Sequence, residues 1–246
     1  IVTKVAAFVY LRVLLKVYGL DVLFDTQLLL LALLWLGVAA MTVGGVLALI
    51  QRDLRRLLVY SSISQVGMAI VGIALANNSG LTGGLLHLVN DALMKGVLFL
   101  AAAVAFVRFG VRDVDDLSLL RGRAPWTAAG VTVACISLIG IPPLCGFFGK
   151  WYILLGALEA RQWLVATFVV ASSVITAIYV FRILEQLFLF THKNEPKQDP
   201  GPEPREGSFA LIAACSLLGI GIVVFGMMTS RVVTEVVAPL LTAGVQ

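Results

Sequence analysis

This sequence predicts an all-α polytopic membrane protein of about seven transmembrane helices, one of them broken at Pro142-Pro143. Three observations carry that fold class. Of the 246 residues, 60% are hydrophobic and only 13% charged, and the mean hydropathy is +0.99. An ordinary soluble domain carries about a quarter charged residues, and polar groups this sparse do not cover a water-facing surface. That excludes a soluble globular enzyme, a disordered chain and a disulfide scaffold. Apolar runs of about 20 residues, the length that crosses the hydrocarbon, recur along the chain. Membrane-spanning strands are about half that length and alternate in polarity, which these runs do not. Three cysteines and two histidines, none in a ligand spacing, argue against a structural zinc site or an iron–sulfur cluster. The cysteines (Cys135, Cys145 and Cys215) read as small apolar packing residues.

The spans fall at roughly 1–18, 27–50, 57–76, 81–107, 126–159, 163–190 and 208–230. Short polar turns separate them, as Asn77-Asn78-Ser79-Gly80 does between the third and fourth. The chain opens without Met inside a hydrophobic run and reads as the C-terminal part of something longer. Residues 192–207 hold four prolines and mixed charge, the composition of a solvated linker. The tail 231–246 is too short to span and reads as a packed or interfacial segment.

Basic residues divide the loops into two classes. Arg52, Arg55 and Arg56 follow the second span, Arg108, Arg112, Arg121 and Arg123 the fourth, and Lys193, Lys197 and Arg205 the sixth. The intervening loops hold Asp21 and Asp25, then no charge, then Glu159 with Arg161. The positive-inside rule places the even-numbered exits in the cytoplasm of an inner membrane and the C-terminus outside. Arg12 and Lys16, near the outer end of the first span, run against the rule.

Charges inside spans are costly and concentrate where a side chain faces water or a partner. His87, Asp91 and Lys95 recur every four residues in the fourth span. On a helix they drift only about 40° per step and cover roughly 12 Å of one face. Asp91 precedes Lys95 by one turn, the favourable order for an acid–base pair. A lysine drawn one way by a carboxylate and the other by desolvation exchanges a proton at modest cost. The alternative is a packing pair, with His87 bonded to a neighbouring helix. The fifth span contains Gly140-Ile141-Pro142-Pro143. Two adjacent prolines remove two backbone donors and clash with the preceding turn, so the helix breaks and frees carbonyls that need water or polar partners. Half-helix ends of this kind build ion sites in transporters. Lys150 follows about two turns later, either as part of such a site or as an anchor snorkelling to the interface. Lys4 stands between a buried site and an interfacial anchor. Arg182 and Glu185 read as an anchoring pair at the end of the sixth span. The run Tyr60-Ser61-Ser62-Ile63-Ser64-Gln65 either lines a hydrated entrance or bonds its own helix carbonyls. An echo between Ala7–Arg12 and Ala177–Arg182, in spans of opposite direction, suggests an inverted repeat.

Four passages together resemble the antiporter-like subunits of respiratory complex I, Mrp-type cation/proton antiporters and membrane-bound hydrogenases. They are TKVAAFVYLR at 3–12, QRDLRRLLVYSSISQ at 51–65, HLVNDALMKGVLFL at 87–100 and GIPPLCGFFGK at 140–150. Their order and separation match as well, so the resemblance covers nearly the whole chain. The opening and the HLVNDALMK passage lean slightly towards the Mrp D-type and hydrogenase-linked branch. The resemblance implies the second half of an inverted-repeat antiporter-like fold. Residues 1–18 would be the last helix of the first repeat, 27–191 the complete five-helix second repeat, 192–207 a cytoplasmic linker and 208–246 the closing helix and tail.

By position, Lys4 resembles the lysine linking two half-channels, and His87 and Lys95 resemble the central polar axis. Lys150 resembles the charged residue on the broken helix that releases protons outward. Asp91 stands where several relatives carry a second histidine, which leaves its role between proton relay and setting the charge of Lys95. The function implied is translocation of protons, or of a cation and protons, with other hydrophobic subunits of a larger complex as partners. The rivals are an independent secondary transporter binding a small substrate at the broken helix, and a passive scaffold subunit. Sodium is a second candidate ion beside the proton. Nucleic acid is not expected as a partner. No Rossmann glycine pattern, Walker loop or haem- or cluster-ligating constellation is evident, so the sequence implies no cofactor, and redox catalysis would belong to partners. A cysteine introduced at Asn194 is expected to react with an impermeant thiol reagent only from the cytoplasmic side. Labelling only from outside overturns the orientation.

Overall fold

The computed structural model describes residues 9, 27–120, 123–189, 209–237 and 239. Lys4, Arg12, Lys16, the echo at Ala7–Arg12, the linker 192–207 and most of the tail lie outside the described residues. The elements are α1 (Gln27–Ile50), α2 (Leu54–Ala74), α3 (Asn78–Phe109), a 3-10 turn (Val114–Leu120), α4 (Pro125–Ile139), α5 (Cys145–Glu159), α6 (Trp163–Phe188), α7 (Phe209–Met227) and α8 (Thr229–Val232). A single π-turn (Val233–Val237) follows α8. Among the described residues every named element is helical.

Four of these helices, α1, α2, α3 and α6, are each long and apolar enough to cross a membrane. The segment 211–227 passes only together with 229–237, from which it is bent by 73°. The span expected over 126–159 is broken at Pro142-Pro143, as its two prolines predict, into two half-helices. Each has 15 residues, which is about 22 Å at 1.5 Å per residue and short of the hydrocarbon thickness. The first expected span falls outside the described residues.

The polarity of the bundle is inverted relative to a soluble protein. Leu28, Val107, Trp163 and Leu217 stand outward, each at least two-thirds exposed, while Ser61, Ser64, Gln65, His87, Asn90, Asp91, Lys95, Ser172 and Thr176 are buried. In hydrocarbon that arrangement costs nothing on the outside and gives the polar groups one another as partners inside.

α1 and α2, and α2 and α3, run antiparallel, each pair joined by only three residues. α1 packs along α2, α3 lies between α2 and α5, α6 closes over α1 and α4, and α7 rests on α3 and α4. The α1–α2 seam is close enough to exclude a side chain: a Cβ on Gly67 would lie 2.6 Å from the Met41 amide nitrogen and 2.8 Å from the Gly37 carbonyl oxygen.

The basic residues form one rim. Asp53 caps α2 by accepting from the Arg56 amide at 2.9 Å. The Leu54 amide donates to the Arg112 carbonyl and the Val114 amide to the Arg52 carbonyl, each at 2.9 Å. The Arg55 guanidinium lies 3.8 Å from the centre of the Phe106 ring. Arg182 does anchor the end of α6, but its described partners are the Gln51 carbonyl at 3.0 Å and Asp115 at 3.3 Å, not Glu185. At the opposite end the Asn77 amide donates to the Gly156 carbonyl and the Ser79 hydroxyl to Glu159, both at 2.7 Å.

Helix propensity alone says that Gly67→Ala stabilises an exposed helix by about 1 kcal/mol. Here the methyl group meets backbone it cannot push aside, and overpacking costs roughly 1–3 kcal/mol. The net sign should be destabilising. A lower thermal midpoint in detergent is the expected result, and an unchanged or higher midpoint refutes the close seam.

Candidate functional site

The site begins with the continuity of α3. Its 32 residues run from an Asn77 cap, which accepts from the Gly80 amide at 2.7 Å, to a left-handed Gly110. No break interrupts it, so His87, Asp91 and Lys95 fall on one face as their spacing predicts. All three are at most 2% exposed. Opposite them on α2 stand Gln65 and Ser61, also one turn apart. His87 Nε2 lies 3.0 Å from Gln65 Oε1, and Lys95 Nζ donates to the Ser61 hydroxyl. The pairing order, 65 with 87 and 61 with 95, is that of antiparallel helices.

The hydroxyl run on α2 bonds its own helix carbonyls, the second of the two readings, and also reaches neighbouring helices. Ser61 and Ser62 each donate to the Leu58 carbonyl at 2.9 Å, bonding their own helix. Ser61 also accepts from Lys95, and Ser64 crosses to the Met41 carbonyl of α1 at 2.7 Å.

The broken helix is built around missing donors. In an unbroken helix the amides of residues 142 and 143 would bond the carbonyls of Leu138 and Ile139. Both positions are proline and have no N–H. Lys150 Nζ donates to the same two carbonyls, at 2.8 Å to Leu138 and 3.1 Å to Ile139. The lysine on the second half-helix thus takes the place of the two donors that the prolines removed from the first. Its charge also faces the negative end of the α4 dipole.

Gly140 makes the turn possible. Its φ of 97° lies in the left-handed region that side chains avoid, and a Cβ there would lie 3.3 Å from Lys150 Cδ. The start of α5 has orphan amides of its own, and the Ser137 hydroxyl accepts from the Gly146 amide at 3.1 Å. Lys150 is 7% exposed and sits on carbonyls within the protein, which does not fit an anchor reaching for the interface.

Two contacts join the axis to the break. The Asn90 side-chain amide donates to the Cys145 carbonyl at 2.6 Å, tying α3 to the first turn of α5. Asp91, the next residue, interacts electrostatically with Lys150. The carboxylate expected to act on Lys95 therefore bears on the broken-helix lysine as well.

The structure brings together five of the expected residues, His87, Asp91, Pro142, Pro143 and Lys150, and sets Lys95 two turns along α3 from His87. Lys4 lies outside the described residues. Sequence reasoning missed Asn90, Ser137 and Thr176. The last receives a hydrogen bond from the Gln65 amide at 3.4 Å and donates to the Ser172 carbonyl at 2.9 Å. A signal was available for it, since Ser172 and Thr176 are one turn apart on one face of a largely apolar span.

Comparison with known proteins accords with this geometry. The NADH:quinone oxidoreductase/Mrp antiporter transmembrane family matches residues 1–176. NADH-quinone oxidoreductase subunit N of Desulforudis audaxviator is 35% identical over 244 residues, covering 96% of this chain and 48% of the relative. Hydrogenase-4 component B of Escherichia coli is 37% identical over 137 residues, covering 48% of this chain and 20% of the relative. The chain thus spans about half the length of the first relative and less of the second. In three dimensions it is similar to a chain of the Mrp complex from Dietzia sp. DQ12-45-1b, with a TM-score of 0.80 and 23% identity, covering 99% of this chain and 53% of that one. A chain of respiratory complex I from Thermus thermophilus with bound NADH gives a TM-score of 0.76 at 25% identity, covering 92% and 45%. A four-to-five-helix apolar bundle with a broken span, matched over most of its length by this family, makes the chain a member of the NADH:quinone oxidoreductase/Mrp antiporter transmembrane family, an antiporter-like membrane subunit.

Proposed function

We propose that this chain translocates protons, or exchanges a cation for protons, along its buried side chains as one membrane subunit of a larger complex. The observation that carries the reading is Lys150 Nζ on the carbonyls of Leu138 and Ile139. An ammonium group held by two backbone dipoles has a definite loaded position, and a shift of nearby charge is enough to release its proton. Asp91 is the carboxyl side chain whose electrostatic influence bears on Lys150. In this reading Lys95 and His87 are the axis along which the proton arrives, Lys150 is the exit, and Lys4 is the link to a first repeat. Residues 27–191 act as the second repeat and 208–246 close it.

The partners that fit are the other hydrophobic subunits of such a complex, because relatives belong to NADH-quinone oxidoreductase and hydrogenase assemblies. An inner-membrane location, with the linker 192–207 in the cytoplasm and the C-terminus outside, follows from the division of basic residues. Redox chemistry would lie in those partners, with this chain moving charge in response.

The hydrogen bonds of Lys150 separate its structural role from a proton-carrying one. Lys150→Arg keeps a donor for the two carbonyls, but a guanidinium does not release its proton. It should assemble normally and lose at least ten-fold in proton translocation, measured in vesicles at matched complex content. Lys150→Ala should lose translocation and also stability, since two buried carbonyls are left without a donor at about 1–3 kcal/mol each. Lys150→Glu should retain partial translocation. Normal pumping by the arginine variant makes Lys150 a purely structural replacement donor.

On α3, Lys95→Met should reduce translocation far more than subunit content, and Asp91→Asn should do so less. Translocation equal to wild type in Lys95→Met, at equal subunit content, removes α3 as the conducting axis.

A further inference from the structure

Gln65 stands where three helices meet, fully buried, with α3 on one side of its amide and α6 on the other. Its two ends face different partners: Oε1 lies 3.0 Å from His87 Nε2, and Nε2 lies 3.4 Å from Thr176 Oγ1. The direction of this chain is fixed at its far end. The Thr176 hydroxyl has one proton, and it is given to the Ser172 carbonyl one turn earlier at 2.9 Å. Towards Gln65, Thr176 is therefore an acceptor only, and the group that faces it must be the NH2 of the amide.

The reversed amide would set two oxygens against each other with no proton between them, in a site closed to water. Gln65 consequently presents its carbonyl to His87. A carbonyl accepts and never donates, so His87 Nε2 must carry a proton. A neutral imidazole holds one ring proton and an imidazolium two. With Nε2 occupied in both states, the proton that is gained and lost belongs to Nδ1.

We propose that Gln65, oriented by Thr176, is a positioning residue that keeps Nε2 of His87 protonated and dedicates Nδ1 to proton exchange. The proposal rests on the reading of His87 as a member of the proton path. It gives a role to two residues with no charge of their own. It also gives that path a direction: α6 orders α2, and α2 orders the ring on α3. Around His87 the titratable groups are Asp91 and Lys95 on α3 and Lys150 on α5, and the buried phenol of Tyr179 on α6 stands beside Gln65 and Thr176. Gln65 and Thr176 act on the ring from the opposite side without titrating.

The test reads the ring itself. Histidine-15N spectra of the full chain in its membrane complex are recorded at a pH where the ring is neutral, and the His87 signals are assigned by their loss in His87→Gln. Wild type is expected to show one set, with a protonated pyrrole-type Nε2 and an unprotonated pyridine-type Nδ1. Thr176→Val removes the acceptor without touching His87 and lets the amide turn, so a second set with the tautomer reversed should appear. Thr176→Ser should restore the single set, and Gln65→Leu should also give two. A wild-type ring protonated at Nδ1 overturns the proposal, as does a single unchanged set in both Thr176→Val and Gln65→Leu. Failure of the underlying proton-path reading has a different signature: Lys150→Arg and Lys95→Met would pump normally while the spectra still behaved as described.

Discussion

Two backbone carbonyls without donors, those of Leu138 and Ile139, are the constraint around which the rest of the molecule is arranged. Within a bilayer a carbonyl cannot turn to bulk water, and leaving it bare costs several kcal/mol on hydrocarbon-transfer scales. Proline at both 142 and 143 makes that condition unavoidable. Lys150 meets it from the second half-helix. The same contact fixes where α5 must lie relative to α4, and therefore where both lie against α3. Packing around the contact follows suit: Ser137 caps the start of α5, and Asn90 reaches across from α3 to the Cys145 carbonyl. A structural defect and a movable charge are joined in one side chain.

The second theme is how charges survive in the interior. His87, Asn90 and Lys95 on α3 each take a hydrogen-bond partner from a neighbouring helix. α2 offers Ser61 to Lys95 and Gln65 to His87, and α6 holds Gln65 through Thr176. Hydroxyls that in another context would merely bond back to their helix here do that and accept a proton donor from a neighbour. Apolar side chains face outward, where lipid receives them without penalty. Much of the interior polarity is thus met by groups of adjacent helices, and each such pair also fixes a helix against its neighbour.

Close backbone approach completes the arrangement. Gly67 lets α1 and α2 meet at a distance that admits no Cβ, and this places the hydroxyl face of α2 firmly towards α3 and α6. At one end the arginine rim ties the loops together through backbone carbonyls and the Phe106 ring, which joins the ends of α1, α3 and α6. At the other end Asn77 and Ser79 bind the start of α3 to the end of α5. The axis is held at both ends and touched along its length.

Much of this was legible in the sequence because it is local. Span length and apolarity predicted the helical membrane fold. The four-residue spacing of His87, Asp91 and Lys95 put them on one face, since an uninterrupted helix allows nothing else. Two prolines dictated a break in the fifth span. The partners of Arg182 and the dual use of Ser61 were not legible, because each depends on which backbone lies opposite. Nor was the assignment of Lys150 to two particular carbonyls. Its spacing of seven residues from Pro143 said only that it lay two turns into the second half. Thr176, 111 residues from Gln65, escaped notice for the same reason. Its one-turn spacing from Ser172 marked a polar face on α6, but only the packing of α6 on α2 shows which amide Thr176 orients. The sequence by itself determined the elements and the faces that bear charge. The tertiary structure decided which donor meets which acceptor, because hydrogen-bond partners between helices are set by distance in space and leave no trace in local spacing.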